Sequence, residues 1–271
     1  MRVENINGIK VKVFTKKDLT QKLVFSEEES KIIMQYQKTF PELLQDKVEG
    51  FVIDARRLWE QLDKPQGEFS KCIKRKVISR GYVENTDFAN IDKSVDIGKT
   101  NISRKQSEYF LNVDCAKNVC MSENTDKGRL TRRYFILMEK ALRSMEDWIV
   151  IREPQKEGYK ELCSKLKEKY QENFNDEVPY YVYSNEADML NIALLGARAK
   201  QIREELEIKD NQTREWLNSE VNKALYELQL VDSSLVIGNM DFEDRKRIIE
   251  NTCNSKYCGL RNMVFKELEV S

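Results

Sequence analysis

An α+β protein, with a helix-turn-helix and β-hairpin module ahead of a mostly helical C-terminal domain, is the fold this sequence predicts. Three observations predict it. Only four prolines and ten glycines occur in 271 residues, which favours helix over a loop-rich all-β fold. From Phe51 to Gly81 the chain reads as a short strand and two short amphipathic helices around a tight turn. Charge also changes sign along the chain, within a formal net of zero. Lys and Arg outnumber Asp and Glu by 19 to 13 over residues 54–143, and are outnumbered 18 to 25 over 144–271. A basic middle and an acidic end suit different partners.

Taken in order, "IKVKVF" (residues 9–14) alternates apolar and basic residues, as a half-buried strand does. Ser26 followed by Glu29 is a capping box that opens a helix with Ile32, Ile33, Tyr36 and Phe40 as its stripe, to be broken at Pro41. The run Glu27–Glu29 suits the positive end of that helix dipole better than a metal or acid site. Phe51–Ile53 is the short strand, and Asp54 is an N-cap for a helix over about 55–62 with Leu58, Trp59 and Leu62 inward. After the turn Lys64-Pro65-Gln66-Gly67, a second helix is expected over about 68–80. At 100° per residue Phe69, Cys72, Ile73 and Val77 share one arc, and Lys71, Lys74 and Arg75 lie opposite. Lys76 falls on the apolar side, where its stem could pack while its amine snorkels outward. This is a helix-turn-helix pattern with a basic outer face on its second helix.

In "SRGYVENTDF", Gly81 reads as the left-handed residue ending that helix, with Tyr82 placed against Val77. Val83–Phe88 is then expected to be extended, pairing with "SEYFLN" (107–112) in a hairpin. Gly98, Lys99, Arg104 and Lys105 fall at or near its tip, which completes a winged-helix-like module. "VDCAKNVCM" predicts a short helix on Val113, Ala116 and Cys120, and a long helix starts near Asp126. The stripe of that helix is Leu130, Tyr134, Leu137, Met138, Ala141 and Met145. Arg129, Arg132 and Arg133 load its first turns against the macrodipole, which suits an anionic partner.

The polar stretch from about 152 to 175 reads as a linker or bridging helix. Tyr180–Tyr183 reads as a short extended piece before a helix capped by Ser184 or Asn185. Leu217, Val221, Ala224, Leu228, Val231 and Leu235 are spaced as a coiled-coil-like seam, for packing within a bundle or for a homodimer. Domains are accordingly expected at 1–50 (strand and helix extension), 51–150 (the basic module), 151–178 (linker or bridging helix) and 179–271 (helical domain).

The absence of histidine excludes Ser-His-Asp and Cys-His catalysis and His-ligated metal. Cys115/Cys120 and Cys253/Cys258 are spaced more widely than zinc knuckles and read as thiols. No phosphate-binding glycine loop occurs, so neither an enzyme nor a cofactor is expected. With no signal peptide and no apolar run of ~18 residues, the expected compartment is the cytoplasm.

Five pieces in order, "FVIDARRLWEQL", "FSKCIKRKV", "GYVENTDF", "YFLNVDCAKNVCM" and "TDKGRLTRRYFILMEK", resemble the AntA/AntB antirepressor family of phages and prophages over Phe51–Leu142. Cys72 stands where that family usually has tryptophan, which implies altered core packing. The last hundred residues resemble, more loosely, the tail of many phage antirepressors. The resemblance implies a non-enzymatic regulator acting in the bacterial cytoplasm against a repressor of lytic genes. No catalytic residues are carried over. Lys71, Lys74, Arg75 and Arg80 are expected to contact duplex DNA, flanked by Arg104, Lys105, Arg129, Arg132 and Arg133. A phage repressor is the expected protein partner. The alternative is a purely protein-binding antirepressor or anti-defence protein, its acidic end capturing a repressor or host protein without DNA.

Overall fold

A computed structural model of the chain describes residues 1–6, 8–45, 50–96 and 103–260, without the side chains of 93–96 and 103–106. It mixes helices with two small antiparallel sheets, and it divides into two compact units. Met1–Lys16 and Phe25–Arg143 make the first; Lys17–Val24 and Ser144–Ser271 make the second. The division after Arg143 falls where the chain turns from basic to acidic.

In the first unit, β1 (Arg2–Ile6) and β2 (Ile9–Val13) form a hairpin. Its inward residues Val11 and Val13 are buried, as the alternation requires. Helix α1 (Glu27–Tyr36) starts with the expected capping box: Ser26 Oγ accepts from Glu29 N–H (3.2 Å), and Glu29 Oε2 accepts from Ser26 N–H (3.1 Å). The helix ends at Tyr36, ahead of Pro41, which instead opens a short 3-10 turn. Gln37, just past α1, both donates to and accepts from the backbone of Phe14, at 3.0 and 2.9 Å. A ring cluster of Tyr36, Phe40, Tyr134 and Phe135 fills the centre, with centroids 5.1–6.1 Å apart.

The remainder of this unit is β3 (Ile53–Asp54), α2 (Ala55–Gln61), α3 (Phe69–Lys76), β4 (Phe88–Asp96), β5 (Ser103–Leu111), α4 (Val113–Met121) and the start of α5 (Asp126–Phe174). The sheet order is β3-β5-β4, all antiparallel, so the hairpin's second strand is central. The hairpin strands are longer than expected, and the stretch before them is not extended. Val83–Asp87 is a tight turn in which Asp87 Oδ2 accepts from Val83 N–H (2.8 Å) and Asn85 is left-handed at φ +63°. Asn tolerates that region, and the carboxylate gives the backbone a local partner in place of a strand ladder. Asn112 then ties the turn to α4: its N–H donates to Asp87 O (2.9 Å), and its Oδ1 caps Cys115 N–H (2.7 Å). Helix α4 buries Cys115, Ala116, Val119 and Cys120, with Val113 only half-buried. In α5 the expected stripe is buried except Leu130, which is exposed.

Gly128, in the first turn of α5, is held by contact rather than by backbone conformation. A Cβ there would lie 2.6 Å from the carbonyl oxygen of Glu123 and 2.9 Å from its Cβ. Gly128→Ala is expected to destabilise the protein by about 1–3 kcal/mol through overpacking, even though alanine is the better helix former by about 1 kcal/mol. The urea midpoint of the variant reads this; an unchanged or raised midpoint would contradict it.

Helix α5 runs unbroken to Phe174, with Pro154 inside it, so of the two readings of this stretch, linker or bridging helix, it is helix. Its Leu162 and Leu166 are buried in the core of the second unit. Helix α6 (Tyr180–Leu195) begins at Tyr180 after Pro179, not at Ser184 or Asn185. Proline preceding the first helical residue sets the entry, and Met189, Leu190, Leu194 and Leu195 bury that helix's inner face. The unit continues with α7 (Ala199–Glu205), a 3-10 turn at Thr213–Trp216, α8 (Ser219–Ile237) and α9 (Phe242–Lys256). Lys17–Val24 belongs here because Lys17 Nζ donates to the carbonyls of Leu206 (2.9 Å) and Glu207 (2.6 Å). Lys22 Nζ also lies 4.8 and 4.7 Å from the ring centres of Trp148 and Trp216. No helix among the described residues is long and apolar enough to cross a membrane.

Candidate functional site

Helix α3 is two-faced. Phe69, Cys72, Ile73 and Val77 are buried; Lys71, Lys74, Arg75 and Arg80 are exposed. Its position is set from α2, where Asp54 Oδ1 accepts from the N–H groups of Arg56 (2.8 Å) and Arg57 (3.2 Å). The turn between the helices is as expected but tightly wound, with Asp63, Lys64, Gln66 and Gly67 all at positive φ. Trp59 Nε1 donates to Pro65 O (2.9 Å) and closes it. Gln66 Oε1 then accepts from Arg75 Nη1 (3.0 Å), so the turn holds one of the outward arginines in place. Lys71 pairs with Glu68 in solvent at 3.2 Å. An exposed pair of this kind is weak and is easily exchanged for a phosphate.

Helix α3 is shorter than the expected 68–80. Val77 is its C-cap, a 3-10 turn follows at Ile78–Arg80, and Gly81 ends that turn at φ +84°. Lys76 does not snorkel outward. It is buried and donates to Ser122 O (3.0 Å), with Glu123 Oε1 at 2.9 Å. A buried ammonium needs both charge and hydrogen-bond partners, and the loop between α4 and α5 supplies them. That bond and the Lys127–Asp63 pair (3.0 Å) bring the start of α5 beside the α2–α3 turn and α3. Arg129, Arg132 and Arg133 are exposed there. Arg129 pairs with Asp126; Lys74, Arg80, Arg132 and Arg133 have no ion pair among the described residues. Solvent-facing cations thus stand on α3 and the turn after it, and on the first turns of α5.

Residues 53–125 match the AntA/AntB antirepressor family. The match begins at β3 and ends just before α5, short of the Phe51–Leu142 span of the sequence resemblance and of half the chain. The family is regulatory rather than catalytic, which points to an antirepressor role. No curated relative matches the chain.

The rest of the AntA/AntB segment is the hairpin and α4. Arg104 and Lys105 stand opposite Val95 and Ser94 in the distal part of the hairpin. Gly98 and Lys99, at the expected tip, lie outside the described residues. Tyr82 is half-buried and reaches Asn118 and Cys115 of α4; burial, then the Cys115 sulfur, raises its pKa. Cys72 adjoins an apolar void of about 10 Å³ lined by Leu58, Leu62 and Leu111 among others.

Two features escaped the sequence reading. Gln66 looked like a turn residue and also orients Arg75. Lys76 looked like a snorkelling lysine and is an internal strut, although its place on the apolar arc was a signal of burial. Of the seam on α8 and just before it, Leu217, Val221, Ala224 and Leu228 lie in the core of the second unit. Val231 is exposed and Leu235 half-buried, so only this end of the seam is open to a second chain.

Among the described residues, no group of three or more His, Cys, Asp or Glu is placed to hold a metal ion. All six cysteines are free thiols. Burial pushes Cys72 and Cys253 up to about 11, and Cys115 and Cys120 up to about 12, far from the thiolate that reacts at neutral pH. Only Cys258 is exposed. Iodoacetamide at pH 7.5 is therefore expected to label Cys258 first, with Cys72, Cys115, Cys120 and Cys253 protected until the chain unfolds. Peptide mass spectrometry reads the order, and early labelling of Cys115 or Cys120 would contradict it.

Proposed function

We propose that this protein is a phage or prophage antirepressor that binds duplex DNA through α3 and relieves repression of lytic genes. The observation that carries the reading is the division of cations on α3. Lys76, which faces the core, is neutralised internally, and Lys71, Lys74 and Arg75 face solvent, as does Arg80 in the turn that follows. In this reading α2, α3 and the β4–β5 hairpin act as a winged-helix-like helix-turn-helix. Lys71, Lys74, Arg75 and Arg80 contact the groove or its phosphates, and Arg129, Arg132 and Arg133 brace the flanking backbone. Arg104 and Lys105, on the wing, would add phosphate contacts. Fluorescence anisotropy of the full chain with labelled duplex at 50 mM salt tests it. Binding that weakens steeply at 200 mM supports the reading; no binding at 50 mM rejects it.

A second reading has its own observation, the excess of 25 acidic over 18 basic residues in 144–271. In it the acidic unit captures a repressor or a host protein and DNA is not bound. Recovery of tagged full-length protein from prophage-induced cells, with and without nuclease, separates the two. A repressor retained after nuclease favours protein capture; one lost with the DNA favours the first reading.

A further inference from the structure

The second unit is acidic as a whole, yet it contains an open cleft of about 830 Å³ in whose lining basic side chains outnumber acidic ones six to two. Arg152, Lys156 and Lys160 reach it from α5, Lys200 and Arg203 from α7, and Arg214 from the 3-10 turn. Asp188 and Glu215 are the acids of the lining. Both are engaged: Glu215 lies 3.0 Å from Arg152 and 3.2 Å from Lys156, and Asp188 Oδ1 accepts from Ala199 N–H at 2.9 Å. Outside the lining, Lys156, Lys160 and Lys200 also pair with Glu153 (2.9 Å), Glu157 (2.7 Å) and Glu204 (3.9 Å), pairs open enough to solvent for a phosphate to displace them, while Arg203 and Arg214 have no ion pair among the described residues.

Arg214 is the clearest instance, with no ion pair among the described residues. Its guanidinium lies 4.7 Å from the centre of the Tyr159 ring. With the Gln229 amide turned to satisfy its neighbours, Gln229 Oε1 accepts from Arg214 Nη1 at 2.6 Å. Nη2 is shielded from solvent and has no hydrogen-bond partner. Burial lowers the pKa of this arginine to about 10, and the like charge of Arg152 acts in the same direction. It remains a cation at neutral pH. Asn191 Oδ1, also of the lining, is a second buried atom without a partner. Buried polar groups are seldom left unpaired, and an unpaired buried charge is the costliest case. Both orphans lie where a ligand's polar atoms could supply the missing partners. Beside them Tyr180 stands 83% exposed, an aromatic ring held in solvent at the cleft.

We propose that this cleft binds a nucleoside triphosphate, with its phosphates on Arg203, Arg214 and the lining lysines and its base against Tyr180. Two arginines without a carboxylate partner, beside three lysines held only in solvent-exposed pairs, call for a ligand with several negative charges. Guanidinium groups suit phosphate oxygens, a free tyrosine ring suits a planar base, and the volume is that of a small-molecule site. The cleft lies outside residues 53–125, and the proposal stands whether or not α3 binds DNA.

Titration calorimetry of the full chain with ATP, GTP, adenosine, tripolyphosphate and a short single-stranded oligonucleotide tests it. Either triphosphate nucleotide is expected to bind at least tenfold more tightly than adenosine. Tyr180→Ala should weaken the nucleotide without weakening tripolyphosphate. Arg214→Met should weaken both at least tenfold. If that variant fails to fold, the exposed-side double variant Lys156→Ala/Lys200→Ala should still weaken both. The proposal is overturned if neither nucleotide binds at millimolar concentration, if the lysine double variant binds as wild type, or if the oligonucleotide occupies the cleft in preference to the nucleotides.

Discussion

Replacing Lys74 and Arg75 together by glutamate is expected to weaken binding to duplex DNA by about 100-fold at 100 mM salt, or ~3 kcal/mol. Two phosphate contacts are lost, and two repulsive charges are set against the backbone in their place. The fold should be untouched, because both side chains are exposed and neither takes part in the α3 core. Arg75 gives up only its bond to Gln66. Lys12→Glu/Lys31→Glu, an equal charge change at exposed sites on β2 and α1, serves as control and should weaken binding only a few-fold. Equal losses from the two variants would mean that net charge, not the face of α3, governs binding.

The second large effect lies in the other unit. Arg245 on α9 is buried between Glu186 of α6 and Asp232 of α8. It holds Glu186 through both guanidinium nitrogens, with Nη2 to Oε2 at 3.0 Å, and Asp232 through Nη1. Arg245→Met would leave two buried acidic side chains without their cation, at a cost of about 3–5 kcal/mol. Chemical unfolding at pH 7 should show this as a large fall in midpoint; a loss below about 1 kcal/mol would contradict the buried bridge. The triple variant Glu186→Gln/Asp232→Asn/Arg245→Met should recover much of the loss, because no charge remains to be desolvated.

The same cluster gives the wild type a pH dependence. Burial first, and then the neighbouring Glu186, holds the Asp232 pKa well above the ordinary aspartate value. The folded state therefore keeps a proton that the unfolded chain releases above about pH 4. Its contribution to stability is full below that pH and is lost as pH rises through the raised value. Removing Arg245 takes away an attraction that favours the ionised form. The variant's deficit should accordingly be smaller at pH 5 than at pH 8.

Much of the first unit was legible in the sequence because local rules and burial agree there. The capping box at Ser26, the Asp54 cap, the turn before Gly67 and the apolar arc of α3 each combine a residue preference with a matching pattern. Where the reading went astray, a specific contact overrode a general tendency. Val83–Asp87 looked extended, and the Asp87 carboxylate folds it into a turn. Tyr180–Tyr183, rich in aromatic and β-branched residues, looked like a strand, and burial of the α6 core makes it helix. Residues 152–174, open in the sequence between a linker and a bridging helix, are helix, and Leu162 and Leu166 seat them in a core.

The exposed cations of α3 were also visible in advance, since helical spacing alone separates them from Phe69, Cys72, Ile73 and Val77. The basic cleft of the second unit was not. Its residues come from α5, α6, α7 and the turn at 213–216, embedded in a stretch whose summed charge is negative. No window of sequence brings Arg152, Arg203 and Arg214 together. Only the packing of the helices does.

The most direct test of the central claim is the salt dependence of duplex binding, compared between the wild type and Lys74→Gln/Arg75→Gln. Each phosphate contact contributes a slope of about −0.9 in log Kobs against log[salt]. Contacts from Lys71, Lys74 and Arg75 of α3 and Arg80 of the turn after it predict a wild-type slope of about −4 or steeper, and a double variant shallower by about 2. A wild-type slope near zero, or the same slope in both proteins, would contradict the assignment of DNA binding to this face.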